Sequence, residues 1–276
     1  MNIARFNDKI ARKLAVLETS NQLRLAASLQ EIGGPIGFHY RADETYHAAS
    51  TMKVPVMVEI FRLVGEKKLK LSDRVLVDPT CRSMIDDSPF TCDTKEYLTT
   101  RVGKKETVLR LVEEMIIHSD NLATNLLIAL SRPQSITGTW RALGATTSYV
   151  LRGLSDELAY AAGISNRVTA RDLSILMTAI ATDRAASKSS CGRMREILLR
   201  QHYNTMIPAL LPKELLVAHK TGTITRIAHD TATVYAPAGA YALTILCEED
   251  KPRKTTHAKI AQLSRTIFDA WEELHG

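Results

Sequence analysis

Hydrophobic residues recur at three- and four-residue steps near both ends of the chain. Near the start, charged residues separate the apolar positions Ile3, Phe6, Ile10, Leu14 and Leu17. Near the end, the same spacing joins Ile260, Leu263, Ile267, Trp271 and Leu274. This spacing is typical of an amphipathic helix that buries one face. We therefore predict a helix at each end of the chain.

Short apolar segments with a strand-like pattern lie beside these two helices. Residues 23–30 and 36–42 are predicted strands, and the glycines and proline of residues 31–35 favour a hairpin between them. Three more strand-like segments precede the last helix: residues 215–224, 231–237 and 241–248. The two ends of the chain thus supply five strands and two helices.

Helical patterns dominate the middle of the chain, with clear examples at residues 106–118, 121–130 and 169–181. The last of these begins with Thr169 and Asp172, which have the spacing of a capping box. This order of elements predicts an α+β fold in which both chain ends form one antiparallel sheet and a helical region is inserted. We place the two parts of the sheet domain at residues 1–47 and 213–276, and the helical domain at residues 48–212.

Composition narrows the class of protein. The 276 residues include 45% hydrophobic and 24% charged residues, as in an ordinary globular protein. The net charge is +6, but Lys and Arg are scattered, so we expect no nucleic-acid partner. No apolar run approaches the roughly 18 residues of a membrane span. The first residues lack the apolar core of a signal peptide, so the protein is cytoplasmic or a signal has been removed.

The four cysteines show neither C-x-x-C spacing nor nearby histidines, which argues against a metal site. We expect no metal and no cofactor. Buried free thiols are the default interpretation. A disulfide between Cys81 and Cys92 stays open for an oxidising compartment.

A serine, a lysine and a proline crowd the start of the helical segment at residues 47–61. Lys53 lies one helical turn after Ser50, so its amine can approach the serine hydroxyl. A desolvated lysine loses its proton more easily and can activate such a hydroxyl as a nucleophile. Alone, this pair is better explained as a helix cap followed by a surface lysine.

Two further motifs change that interpretation. Ser119-Asp120-Asn121 forms a polar turn between two predicted helices, and Lys220-Thr221-Gly222 lies in a predicted strand. With Ser50 and Lys53, they match in order the S-x-x-K, S-D-N and K-T-G motifs of class A β-lactamases and penicillin-binding proteins. The chain resembles a class A β-lactamase from its first helix to its last.

The resemblance implies a serine hydrolase that acts on β-lactams, with a five-stranded sheet and an active site at the junction of the two domains. In such an enzyme Ser50 would be the nucleophile and Lys53 would help to deprotonate it. Ser119 and Lys220 would relay a proton to the leaving nitrogen. The remaining implied roles are substrate binding by Asn121, Thr221, Gly222 and Thr223, and an oxyanion hole formed by the backbone N–H groups of Ser50 and Thr223.

One loop departs from the class A pattern. The family has E-x-x-L-N there, and anchoring this pattern on Leu158 places Ser155 at the glutamate and Ala159 at the asparagine. Both groups that hold the hydrolytic water are then missing. Two neighbouring carboxylates are candidate substitutes: Asp156 and Glu157. Residues 81–98 also form a longer segment than a compact class A enzyme needs.

Three functions therefore stay open: a β-lactamase with slow deacylation, a D-alanyl-D-alanine peptidase, and a β-lactam-binding module that stays acylated. The partner would be a β-lactam or a peptidoglycan stem peptide. The resemblance implies a periplasmic or secreted protein, and we expect a monomer.

Overall fold

The computed structural model describes residues 1–21, 23–249 and 253–276. The helices are α1 (Ile3–Asn21), α2 (Lys53–Gly65), α3 (Glu96–Thr99), α4 (Val108–Ile117), α5 (Asn121–Ser131), α6 (Pro133–Ala142), α7 (Glu157–Ala161), α8 (Ala170–Ala181), α9 (Lys188–Leu199) and α10 (Arg253–His275). The strands are β1 (Arg24–Glu31), β2 (Gly37–Tyr40), β3 (Tyr46–His47), β4 (Arg74–Leu76), β5 (Thr80–Arg82), β6 (Pro89–Thr91), β7 (Lys105–Thr107), β8 (Arg167–Val168), β9 (Val217–Ile224), β10 (Ile227–Ala236) and β11 (Gly239–Glu248). Two short 3-10 helices span Ala49–Met52 and Ile207–Leu210.

Both ends of the chain meet in one sheet, as predicted. Its strand order is β2-β1-β11-β10-β9, and every neighbouring pair is antiparallel. β1 comes from the start of the chain and pairs with β11 near the end, with Leu29 opposite Leu243. The predicted α+β fold with a five-stranded antiparallel sheet is therefore confirmed.

The sheet is buried on both faces. Leu25 and Ala27 of β1 join a hydrophobic cluster with α1 and α10, whereas Ala26 between them joins the cluster of the helical region. This alternation follows from the two-residue repeat of a strand. α8 packs directly on β1 and β11, so it connects the helical region to the sheet. Within the described residues, every helix is too short or too polar to cross a membrane.

The structure corrects some details of the predicted elements. Ile3 is exposed, although Phe6, Ile10 and Leu14 of the same predicted stripe are fully buried. The middle of the chain also contains five strands, β4–β8, of two or three residues each. Such strands are too short to give a two-residue hydrophobic repeat, so the sequence pattern does not show them.

Candidate active site

Ser50 lies in the 3-10 helix that immediately precedes α2, where the edge strand β9 approaches it. A Cβ atom added to Gly222 of β9 would lie 3.0 Å from the backbone nitrogens of both Ser50 and Thr51. Only glycine allows this approach without displacing backbone. Ala49 has a positive φ of 44°, so the chain turns sharply just before the serine. The glycine and the turn together place Ser50 against the sheet edge.

Lys53, the first residue of α2, has its side chain completely buried beneath the turn that holds Ser119. Its Nζ donates to the Ser119 carbonyl oxygen at 2.9 Å, to Asn121 Oδ1 at 2.7 Å and to Ser119 Oγ at 3.3 Å. Burial lowers the pKa of Lys53 to about 7, against the opposing attraction of Asp120 and Asp93. Near neutral pH a large fraction of this amine can therefore accept a proton.

A second buried lysine reaches the same hydroxyl from the opposite side. Lys220 Nζ of β9 donates to Ser119 Oγ at 3.0 Å and to the Thr221 carbonyl oxygen at 2.7 Å. Burial, followed by repulsion from Lys53, lowers the pKa of Lys220 well below its usual value. Ser119 itself has a positive φ of 57°, which turns its hydroxyl between the two amines. The hydroxyl thus connects two lysines of reduced basicity.

Asp120 explains why this turn is rigid. Its carboxylate caps α5 by accepting from the Ala123 backbone nitrogen at 2.7 Å, and it accepts from Thr94 Oγ1 at 2.7 Å and the Lys95 backbone nitrogen at 2.5 Å. A buried carboxylate with several donors holds the segments that it joins in one arrangement. Ser119 and Asn121 are therefore fixed on either side of it.

These groups surround a cavity of about 340 Å³ between β9 and the helical region. Its lining includes the motif residues Ser50, Ser119, Asn121, Thr221 and Thr223. Sequence analysis did not single out the other lining residues, which are Lys95, Tyr203, Thr205, Met206 and His257. A cavity of this size can hold a small molecule.

The loop that departs from the class A pattern contributes none of the residues that line this cavity, and its two carboxylates face elsewhere. Asp156 is buried and accepts from Ser83 Oγ at 2.9 Å and from the backbone nitrogens of Met84 and Ala159, each at 3.0 Å. It caps α7 and ties the loop to the β5–β6 region. Glu157 is exposed at the start of α7. Neither contacts Ser50, Lys53 or Ser119 in the described structure.

Ser155 is joined to the site only indirectly, through a carboxylate that the sequence motifs do not mark. Its hydroxyl donates to Asp93 Oδ1, and Asn121 Nδ2 lies 3.1 and 3.0 Å from the two carboxylate oxygens of Asp93. Asp93 stands in the unusually long segment of residues 81–98. The length of this segment was the one feature of the sequence that pointed to Asp93, because none of the three sequence motifs includes this residue.

Cys81 and Cys92 lie next to each other below this loop. Asn125 Nδ2 is 3.4 Å from Cys81 Sγ and 3.2 Å from Cys92 Sγ, and the same nitrogen donates to the Leu154 carbonyl oxygen at 3.0 Å. A hydrogen bond from the Cys92 thiol lowers the pKa of Cys81. Both residues are free thiols in the structure, and Cys81 is only partly buried.

Comparison with protein families identifies the fold. Residues 9–271 match the model of the family described as the beta-lactamase enzyme family. The chain belongs to this family. The resemblance to class A β-lactamases drawn from the motifs is thereby confirmed.

Several curated proteins with sequences similar to this family member are named as β-lactamases. The enzyme from Rhodobacter capsulatus is 32% identical over 142 residues, which are 51% of this chain and 45% of the relative. β-Lactamase AST-1 of Nocardia asteroides is 27% identical over 266 residues, 94% of this chain and 82% of the relative. The chain spans about half the length of the first curated relatives that it matches.

Solved structures of β-lactamases and of PBP-A superpose closely on this family member. A β-lactamase from Sphaerobacter thermophilus gives a TM-score of 0.85 at 25% identity. The superposition covers 96% of this chain and 97% of the chain of that β-lactamase. PBP-A gives a TM-score of 0.84 at 25% identity, covering 99% and 98%. A mutant of PBP-A is an acyl-enzyme complex with penicillin G.

Proposed function

We propose that this protein is an active-site serine hydrolase that opens β-lactam rings by acylating Ser50 and then hydrolyses the ester. The observation that carries the proposal is the convergence of Lys53 and Lys220 on Ser119 Oγ beside Ser50. Two amines of lowered pKa joined through a hydroxyl can move a proton without a large change in charge. This is the proton transfer that opening an amide-like ring requires.

Acylation follows from this arrangement. Lys53 takes the proton of Ser50 as Oγ attacks the lactam carbonyl carbon. The backbone N–H groups of Ser50 and Thr223 donate hydrogen bonds to the carbonyl oxygen and stabilise the negative charge that forms on it. The carbon–nitrogen bond then breaks. The leaving nitrogen takes a proton from Lys220 through Ser119, which lies within hydrogen-bond distance of both amines.

Substrate binding uses the cavity lining. Thr221, with Lys220 behind it, offers donors to the substrate carboxylate, and the side-chain amide of Asn121 can hold the substrate's own amide. Because Gly222 has no side chain, β9 lies close to Ser50. A substrate that lies along β9, as a peptide does when it adds to the edge of a sheet, would therefore be beside the nucleophile. We expect deacylation to be slower than acylation, because Ser155 and Ala159 supply neither a carboxylate nor an amide at the family's water-holding positions.

Intact-mass spectrometry with penicillin G tests the proposal. We expect a single penicilloyl adduct on the wild-type protein and none on Ser50→Ala. Ser72→Ala, which changes an exposed serine between α2 and β4, is the matched control and should acylate normally. A chromogenic cephalosporin should show a burst followed by slower sustained turnover. An adduct that persists in Ser50→Ala refutes the assignment of the nucleophile.

A second candidate function is D-alanyl-D-alanine peptidase activity. The likeness to PBP-A over nearly the whole chain supports it, as does a serine, Ser155, where class A enzymes carry the water-holding glutamate. Release of D-alanine from a peptide ending in D-alanyl-D-alanine, together with a stable penicilloyl adduct, would favour the peptidase. Sustained hydrolysis of the cephalosporin without D-alanine release would favour the β-lactamase.

A further inference from the structure

Hydrolysis of an acyl-Ser50 ester needs a carboxylate or another base that can reach a water beside the ester. The described structure offers few candidates. Asp120 is fully buried and its oxygens are occupied by the contacts of its cap, and Asp156 is occupied in the same way on the far side of the loop. Glu157 points to solvent outside the site. Asp93 remains.

Asp93 is within two hydrogen bonds of Lys53. Lys53 Nζ donates to Asn121 Oδ1 at 2.7 Å, and the nitrogen of the same amide donates to Asp93. Asp93 is held from two sides, because Ser155 donates to its Oδ1 and its own carbonyl oxygen accepts from the Leu122 backbone nitrogen at 3.2 Å. Its position is thus fixed relative to the cavity that Asn121 lines.

The carboxylate is also open to water and ionised. Asp93 is exposed, unlike the two occupied aspartates. Partial burial acts to raise its pKa, but the hydrogen bonds from Ser155 and Asn121 outweigh this effect and hold the pKa below the usual value. A base of low pKa is present in its active form at neutral pH but pulls weakly on a proton. Slow deacylation is the expected result.

We propose that Asp93 is the base that activates the hydrolytic water in deacylation, a role that rests on the proposed acylation of Ser50. The water oxygen adds to the ester carbonyl carbon while one of its protons passes to the Asp93 carboxylate. The bond between that carbon and Ser50 Oγ then breaks, and Oγ regains its proton from Lys53, which took it during acylation. Asp93 releases the proton of the water to the solvent, and Lys220 regains from the solvent the proton that it gave to the leaving nitrogen. One water is consumed, and a carboxylic acid and the free serine are formed.

Asp93→Asn tests this role, because an asparagine can still accept from Ser155 and Asn121 through its oxygen. We expect the acylation burst to stay within about threefold of wild type, while steady-state turnover falls by about 100- to 1,000-fold and the penicilloyl adduct persists. Adding Ser155→Glu to this variant returns a carboxylate to the neighbouring position and should recover much of the turnover. Asp87→Asn, an isosteric change of an exposed carboxylate in the same segment, is the control and should behave as wild type.

Each other outcome is informative. Turnover of Asp93→Asn within threefold of wild type overturns the role of Asp93. A joint loss of burst and turnover also overturns it, because it would show that Asp93 acts only by positioning Asn121 for acylation. A wild-type adduct that never hydrolyses overturns this inference but leaves acylation of Ser50 intact. Absence of any wild-type adduct overturns the proposed function, and with it this role.

Discussion

The chemistry of the candidate site depends on how one side chain is buried. Lys53 is held by three hydrogen bonds, and all of them go to Ser119 and Asn121. A lysine on the surface would be protonated at neutral pH and could not accept the proton of Ser50. Because Lys53 is buried beneath the Ser119 turn, part of its amine is neutral near pH 7 and able to accept a proton.

The pH dependence of acylation should report this residue. In the proposed role Lys53 acts in its neutral form, and its pKa is about 7. The acylation rate constant should therefore rise from pH 5.5 to 8.5 and be half-maximal near pH 7. Stopped-flow measurement of the burst with a chromogenic cephalosporin gives this constant. Lys53→Ala should slow acylation by about 100- to 10,000-fold. A flat profile across this range, or a few-fold effect of the substitution, would make Lys53 a structural residue.

The sequence predicted the motif residues better than it predicted their surroundings. Ser50, Ser119 and Lys220 carry a recognised spacing. The structure brings Ser50 and Ser119 to one cavity, and Lys220 lies behind it, bonded to Ser119 Oγ. Asp93 could not be predicted in this way, because its contact with Ser155 joins two loops that are far apart in sequence. The positive φ of Ser119 likewise depends on tertiary contacts and has no signal in the residue type.

Among the elements, the long amphipathic helices and the sheet strands follow the hydrophobic pattern closely. The capping box predicted at Thr169 is half realised, since Thr169 Oγ1 accepts from the Asp172 backbone nitrogen at 3.1 Å. The Asp172 carboxylate instead accepts from three consecutive backbone nitrogens, of Thr146, Thr147 and Ser148. Local spacing predicted the helix start, whereas the partner segment of the carboxylate is set by packing.

Asp172→Ala should therefore destabilise the protein through this connection between α8 and the segment after α6. It leaves three backbone N–H groups without their acceptor and should lower the free energy of unfolding by about 3 kcal/mol. Urea denaturation followed by circular dichroism measures the change. Asp172→Asn keeps one acceptor oxygen and should lose less. Equal stability of Asp172→Ala and wild type would mean that water replaces the carboxylate at no cost.

At the scale of the whole molecule, both ends of the chain close around one aromatic cluster. The fully buried Trp271 of α10 has its ring 6.0 Å from that of Phe6 in α1 and 5.1 Å from that of Tyr241 in β11. Its Nε1 donates to the Gly239 carbonyl oxygen at 2.9 Å. The periodic spacing predicted that Trp271 is buried, but not which elements it joins, because that depends on strand order.

Trp271→Ala should lower the free energy of unfolding by about 3–5 kcal/mol, because it leaves a large cavity between both terminal helices and the sheet. Trp271→Phe, which keeps most of the ring volume, should lose less. Tyr160→Ala changes an exposed aromatic residue of α7 and should stay within about 0.5 kcal/mol of wild type. The measurement is urea denaturation followed by circular dichroism. A loss below about 1 kcal/mol for Trp271→Ala would show that the two helices hold to the sheet independently of this ring.

The buried lysines also tie the stability of the fold to pH. In the unfolded chain Lys53 stays protonated up to about pH 10.5, whereas in the folded protein its pKa is about 7. Between these two values the unfolded state binds more protons, so the contribution of Lys53 to the free energy of unfolding rises with pH across this window. Lys220, which is also fully buried, acts in the same direction. Charging these two lysines therefore costs stability, and for Lys53 this cost is complete at about pH 7 and disappears as the pH rises toward 10.5. The two residues are the proposed proton carriers, so the alkaline conditions that stabilise the fold are also those in which both amines are neutral.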